Sequence, residues 1–393
     1  MGAKHMSKTA KTRNYGEGSV YQRKDGRWVA KYKSEEMVKP YVMYGKTETE
    51  AKRKLRDFKK ETARGLTVCR KIFFRDYTSR WLYSFKQSSV ASSSFDRYES
   101  VYLKHIKPVF GDRQLASIRG MDIQDFLIEQ SEKYSLSLVK VMRVILAELF
   151  EFAHSEGDIL RNPMRNVKLP KRDSFKPQRI VTTMEDSEVL LLEQAAKQQK
   201  ENGQYLIPYA GLIVFLVHTG LRCGELLALK WSDIDFEEKT VTVNKNLTRV
   251  IDRNHDDDIV KRKNQVKSTK TVSGNRVVPL NKKAISALKL LKKNYAALHI
   301  ESEFVAISRQ GKLLSNVHIR RVLLRMIKAV GIEHTYSVHQ LRHTFATRSL
   351  KSGVPIAVVS KWLGHAGITM TLNTYIHASK ADESHSKQLL NAM

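Results

Sequence analysis

The chain of 393 residues carries 69 Lys and Arg against 40 Asp and Glu, a formal net charge of +29. That surplus argues against an enzyme for neutral small molecules and for a polyanionic partner, with nucleic acid the default. Its two cysteines, Cys69 and Cys223, match no zinc or redox spacing, and its longest apolar run, Ala210 to Val217, is far short of the roughly 20 residues a bilayer needs, so a soluble protein of the reduced cytosol is expected.

This length suits two or three domains. Met1 to His5, ahead of a second methionine at Met6, read as a cloning scar and stay outside the fold reasoning. In the first part, residues 1–65, Val20-Tyr21-Gln22 and Trp28 to Tyr32 flank Lys24-Asp25-Gly26-Arg27, whose Asp-Gly pair signals a hairpin. A third strand near Val38 to Tyr44 and a helix from Thr47 to Thr62 complete a small β-plus-helix unit. It holds 18 basic and 8 acidic side chains, with Tyr21, Trp28, Tyr32, Tyr41 and Tyr44 interleaved. A three-stranded sheet can enter a major groove, which makes Arg23, Lys24, Arg27, Lys31 and Lys33 the candidate contacts. The competing reading is a solubilising β-domain with ordinary core aromatics.

Residues 64–70 read as a linker, and residues 66–170 as a helical part. Phe74, Tyr77, Trp81, Leu82 and Phe85 fall on one helical stripe, and Phe95, Tyr98, Tyr102 and Ile106 on another. Helices near Met121 to Lys133 and Leu136 to Ser155, the latter closed by Gly157, make it a four-helix unit. Lys104, Lys107, Arg143, Arg161 and Arg165 are candidate phosphate contacts, each weighed against a merely solvated face.

A hinge over residues 169–177, with two prolines, leads into the third part, residues 171–393. Thr182 and Glu185 predict a capping box ahead of a helix from Val189 to Gln199. The part is mainly helical, with one strong β signal, between Thr240 to Val243 and Arg276 to Leu280. The segment joining those strands is too long for a tight hairpin, and Asp256-Asp257-Asp258 within it reads as a solvated loop tip.

From Tyr336 to Tyr375 the chemistry concentrates. Ser337 is a candidate helix N-cap, and Gly353 followed by Pro355 a stop. His339, Arg342 and His343, three and four apart, share one face of that helix. A second short helix ends at Leu363-Gly364-His365, and a third carries Tyr375. H-x-x-R alone is more often a solvated helix face. Zinc at His339 and His343 would copy the spacing of H-E-x-x-H, but Gln340 cannot serve as that motif's base.

Together with Thr219-Gly220-Leu221-Arg222-Cys223-Gly224-Glu225-Leu226 upstream, the motifs T-G-L-R-x-G-E-L, H-x-L-R-H-T-F-A-T and L-G-H…T-Y, in that order, resemble the tyrosine recombinase (phage integrase) family. The resemblance spans essentially the whole chain, and the particular relatives it looks like are integrases of temperate phages and conjugative transposons. It implies a multidomain, mainly α protein: residues 1–65 an arm-site DNA-binding domain, 66–170 a core-binding domain clamping one side of the duplex, and 171–393 a catalytic domain with a small β-sheet. The tail past the nucleophile would pack on a neighbouring protomer.

The implied chemistry is DNA cutting and rejoining through a 3′-phosphotyrosine, integrating and excising a mobile element. In-line attack at a phosphodiester builds charge on the non-bridging oxygens, which fixed cations stabilise, and arginine offers a planar fork for two oxygens. By resemblance Arg222 and Arg342 are that clamp. Tyr375 is the nucleophile, because a covalent link conserves the bond energy that hydrolysis would discard. His339 is the base for a phenol of ordinary pKa about 10, and Lys270 the acid. Lys270 stands nine residues before Pro279 in K-T-x-S-x-x-R-x-V-P-L, the phage-integrase form, with Lys267 its rival if the register slips. His365 hydrogen-bonds the phosphate, Glu225 is a structural carboxylate, His343 a non-catalytic neighbour, and His377 is solvated. No metal or cofactor is implied, neither Mg²⁺ nor ATP. The implied partners are double-stranded DNA at core and arm sites and a homotetramer passing through a Holliday junction, with room for an excision factor and a host DNA-bending protein. The setting is the cytoplasm of a bacterial host, on the nucleoid, with no membrane. A type IB topoisomerase and a DNA-binding regulator with a dead catalytic domain are the competing readings.

Overall fold

The Asp25-Gly26 pair turns the chain as expected, with Gly26 at φ +81. In the computed structural model, which describes residues 17–33, 40–63, 72–171, 175, 182–253, 262–268 and 274–372, β1 (Ser19–Gln22) and β2 (Trp28–Tyr32) pair antiparallel, Val20 opposite Ala30. β3 (Tyr41–Gly45) adds to β2, giving the order β1-β2-β3. Alternation along β2 and β3 sends Ala30, Tyr32 and Met43 inward, where Ala51, Leu55 and Phe58 of α1 (Glu48–Ala63) meet them. Tyr41 stacks on Phe58 with ring centroids 4.5 Å apart. Thr47 starts the helix: its Oγ1 accepts from Glu50 N at 3.2 Å, while the Glu50 carboxylate accepts from Lys46 N at 2.8 Å.

This sheet shares the first of two units of the chain, Met1–Gln178, with a helical bundle. There α2 (Phe74–Trp81) runs through a π-helical turn (Leu82–Lys86) into α3 (Gln87–Ser89), and α4 (Ser92–Val101) through a second (Tyr102–Ile106) into α5 (Lys107–Phe110). α6 (Gly120–Lys133) and α7 (Leu136–Ser155) complete the bundle. Phe74, Trp81, Leu82, Phe95, Tyr102 and Ile106 are buried, as their spacing predicts, and Phe110 joins them. Phe85 departs from its stripe and is 49% exposed. The π turn in which it lies adds a residue to the helical repeat and rotates Phe85 off the buried face, where its ring leans on Phe152 instead, 4.5 Å between centroids.

The second unit, Arg179–Met393, is built around α9 (Ala210–Thr219), every residue of which is buried. A helix apolar on all sides needs neighbours on all sides. It packs against α8 (Asp186–Ala195), α11 (Lys282–Ala297), α12 (Asn316–Ala329) and α13 (Val338–Lys351). The expected capping box shifts by three residues. Glu185 is the N-cap of α8 and donates its backbone N–H to Glu188 Oε2 at 2.8 Å. Thr182 is occupied elsewhere, its carbonyl and hydroxyl accepting Gln340 Nε2 at 3.0 and 3.1 Å. The helix stops at Ala195, short of Gln199, which bridges to Tyr205.

After the short α10 (Cys223–Leu227), β4 (Ile234–Asp235) and β5 (Thr240–Val243) start an antiparallel sheet. β6 (Lys245–Ile251) and β7 (Arg262–Ser268) form a separate hairpin, Lys245 opposite Ser268, before β8 (Arg276–Pro279) joins β5 in the order β4-β5-β8. The long connection of the sequence reading is thus largely an inserted hairpin, and Asp256 to Asp258 lie outside the described residues. α14 (Ile356–Leu363) follows α13 and ends on Gly364 in the left-handed region. Among the described residues no helix is long and apolar enough to cross a membrane.

Candidate active site

Three chain segments far apart in sequence meet at the C-terminal end of α14. α9 ends on Gly220, at φ +65, which swings the chain so that Arg222 becomes the N-cap of α10. Glu225, one turn on and 2% exposed in its side chain, accepts from Arg222 twice, from the backbone N at 2.7 Å and from Nη1 at 2.8 Å. On α13 the Ser337 N-cap is realised, its N–H held by Gln340 Oε1 at 2.7 Å. Thr344 Oγ1 ties the same helix to the start of the unit by accepting from Met184 N at 3.0 Å.

The last carbonyls of a helix have no partner within it and carry the negative end of its dipole. Here three successive carbonyls each accept from a different arginine. Arg276 Nε reaches Trp362 O at 2.5 Å, Arg342 Nη2 reaches Leu363 O at 2.5 Å, and Arg222 Nη2 reaches Gly364 O at 3.2 Å. Arg342 also donates to Gly220 O at 2.9 Å, which joins α13 to the turn after α9. The next residue, His365, shares a 2.8 Å hydrogen bond between Nδ1 and Thr371 Oγ1, with Thr371 fully buried. On α13 the His339 and His343 rings stand edge to face, 4.7 Å between centroids.

Electrostatics follow from crowding these cations. Burial, then Arg222, pushes the Arg342 guanidinium down to about 9, so it stays a cation at neutral pH. Burial, then Arg342 and Arg222, pushes His365 down to about 4, and burial, then His339 and Arg342, does the same to His343. Desolvation by the packing around its ring, then Arg342 and Arg222, holds His339 below the usual range. The result is a cluster of cations with neutral imidazoles beside it. Burial raises the Glu225 carboxyl, but the hydrogen bonds and charge of Arg276, with those of Arg222, outweigh it and leave the group below the ordinary carboxylate range. Burial pushes the Cys223 thiol up to about 12, so it is no nucleophile despite its place beside Arg222.

A sequence profile of the phage integrase family matches residues 182–382, and one of the phage integrase N-terminal SAM-like domain matches residues 73–129. The chain belongs to the phage integrase family. It is a tyrosine recombinase. It is 28% identical over 368 residues to a XerC-like tyrosine recombinase of Caldanaerobacter subterraneus subsp. tengcongensis, covering 88% of this chain and 90% of the relative. It is 27% identical to the transposase of transposon Tn916 from Enterococcus faecalis, covering 70% and 66% respectively. Its fold resembles the solved Tn1549 transposon integrase in complex with transposon right-end DNA, at TM-score 0.64 and 22% identity, covering 82% of this chain and all of that one.

Of the site residues expected in this recombinase, the structure brings together Arg222, Glu225, Arg342, His339, His343 and His365. Lys270, Tyr375 and His377 lie outside the described residues, as does the tail. Lys267 is half-buried on β7, opposite Asn246. Among the described residues no group of three or more His, Cys, Asp or Glu is arranged to hold a metal ion. Arg23, Lys24 and Arg27 are exposed around the β1–β2 turn, Arg27 held by Asp25 at 2.8 Å, while Lys31 sits 5.3 Å from the Tyr21 ring centroid and Lys33 is half-buried. Lys104, Lys107, Arg161 and Arg165 are exposed, whereas Arg143 is half-buried and donates to Val167 O at 3.2 Å, inside its own bundle.

Sequence reasoning missed Arg276 as a member of the site. No local sequence signal marked it: only the fold shows that burial alternates along β8, so that Arg276 points inward with Val278 while Val277 faces out. A charged side chain on the inward face of a strand requires a buried partner.

Proposed function

We propose that this recombinase cuts one DNA strand at a time through a 3′-phosphotyrosine and rejoins it to a new partner, integrating and excising a mobile element. The observation that carries the reading is the convergence of Arg222, Arg342, His339 and His365 on one end of α14, cations for a phosphate next to neutral imidazoles. Arg222 and Arg342 hold the non-bridging oxygens, which become more negative as the phosphorus turns five-coordinate. His365, presented by the Gly364 turn, donates a further hydrogen bond to the phosphate. The Tyr375 phenol loses its proton to His339 and its oxygen attacks phosphorus, and the bond from phosphorus to the 5′ oxygen breaks as Lys270 protonates that oxygen. Attack by a second 5′ hydroxyl reverses these transfers and frees Tyr375.

In this reading residues 1–65 bind arm sites through the basic β-unit, residues 66–170 hold core DNA, and residues 171–393 carry the chemistry. Four protomers assemble on double-stranded DNA and pass through a Holliday junction, on the bacterial nucleoid, with an excision factor and a DNA-bending protein as accessory partners. The test is Tyr375→Phe on a nicked suicide duplex of the core site. The variant should bind as wild type does and form no covalent adduct, and an adduct at wild-type level would refute the assignment.

A further inference from the structure

We propose that Arg276 is a positioning residue for the recombination chemistry, one that sets the pose of Arg222 through Glu225 and fastens both to the C-terminal end of α14. The inference rests on the recombinase reading above. Arg276 is 2% exposed in its side chain, too deep to touch DNA. Its fork is paired twice with one carboxylate, Nη1 to Glu225 Oε1 at 3.0 Å and Nη2 to Oε2 at 2.8 Å, while Nε takes Trp362 O at 2.5 Å. Such two-point pairing fixes the plane of the carboxylate.

The same carboxylate also accepts from Arg222, whose side chain is 39% exposed. An exposed arginine with a long flexible stem has many rotamers, and of its three contacts two are made by Glu225, one fixing the main chain at N and one narrowing the side chain at Nη1. The third is Gly364 O, two residues past the carbonyl that Arg276 holds. One buried side chain therefore governs both ends of the grip on Arg222. Lysine could keep the charge but only one of these contacts at a time.

A structural arginine of the core would lower stability and slow every step together. A positioning arginine acts through Glu225 and should show it in two ways. The experiment uses the full chain and a nicked suicide duplex of the core site, located by footprinting the wild-type protein on the ends of the DNA segment that encodes it. Arg276→Gln, Arg276→Lys, Glu225→Gln and the double variant Arg276→Gln/Glu225→Gln are compared in duplex binding and single-turnover adduct formation. Arg276→Gln should bind within about 3-fold of wild type yet form adduct about 30-fold or more slowly, with Arg276→Lys between. The double variant should be no more than about 3-fold slower than the slower single variant, because both act on one linkage. Without its main cation Glu225 should also protonate at higher pH, so Arg276→Gln gains an acid limb in its pH–rate profile that Glu225→Gln lacks. Multiplying losses, a pH profile parallel to wild type, or wild-type adduct rates would each overturn the proposal. If Arg276→Gln does not fold, Arg276→Lys carries the test, and wild-type rate or independence from Glu225 overturns it. Failure of the wild-type protein to form any adduct would instead refute the recombinase reading.

Discussion

Gly220 is a place where a single methyl group should reach the active site. Its φ is +65, its carbonyl accepts from Arg342, and a Cβ built on it would lie 2.4 Å from Phe345 Cδ1 and 2.9 Å from Leu363 Cδ2. The left-handed backbone costs an alanine about 1 kcal/mol. Forcing a methyl between packed side chains adds about 1–3 kcal/mol, so Gly220→Ala should destabilise the second unit by about 2–4 kcal/mol. Gly353 is the matched control, at φ +83 with nothing within 4 Å of its Cβ. Gly353→Ala should cost only the backbone contribution of about 1 kcal/mol. The two should diverge further in activity, because Leu363, which must yield, supplies the carbonyl that holds Arg342. Urea unfolding of the full chain, with single-turnover adduct formation, reads both effects. Equal unfolding midpoints, or a Gly220→Ala protein that cleaves as fast as Gly353→Ala, would refute the reasoning.

Arg222→Lys keeps the charge and loses the fork, and should slow adduct formation by about 10²-fold, as does loss of one oxyanion donor; an unchanged single-turnover rate counts against its role. Lys270→Ala should cripple cleavage of a normal strand but recover on a strand with a 5′-bridging phosphorothiolate, whose leaving group needs no proton. Lys267→Ala should be nearly silent on both, and the reverse pattern would exchange the two lysines. His343 and His365 are held down to about 4 from an ordinary 6.5. The unfolded chain then binds more protons than the folded one between those values, so their contribution is intact above pH 6.5 and lost as pH falls toward 4. The melting temperature of the second unit should drop across that window and drop less in His365→Gln, while a flat profile in wild type would contradict the burial of these rings.

What the sequence revealed and what it hid divide along a physical line. The placement of Arg222, His339, Arg342 and His365 was legible because helical spacing and glycine turns act locally, with Ser337 and Gly364 marking the ends of their helices in the chain itself, while their roles came from the family motifs. The aromatic stripes of the first bundle were legible for the same reason, up to Phe85, where a π turn breaks the period on which the reading relied. The hairpin of β6 and β7 was not, because β7 reads R-K-N-Q-V-K-S, almost wholly polar and lacking the alternation that announces a strand. The Thr182 capping box failed because Gln340, 158 residues away in sequence, claims that hydroxyl. Arg276 was quoted within a motif, yet its role depends on Glu225 and Trp362 arriving beside it, which no local pattern encodes.

The three arginines on successive carbonyls also impose an order on the birth of the protein. Residues 222, 276 and 342 leave the ribosome before their shared acceptors at 362, 363 and 364. A nascent chain can build the apolar centre around α9 while its guanidiniums still lack the anchor that aims them. The arrangement of the three arginines is therefore completed only once residue 364 has been made, and a chain released short of Trp362 has none of the three carbonyls that hold them.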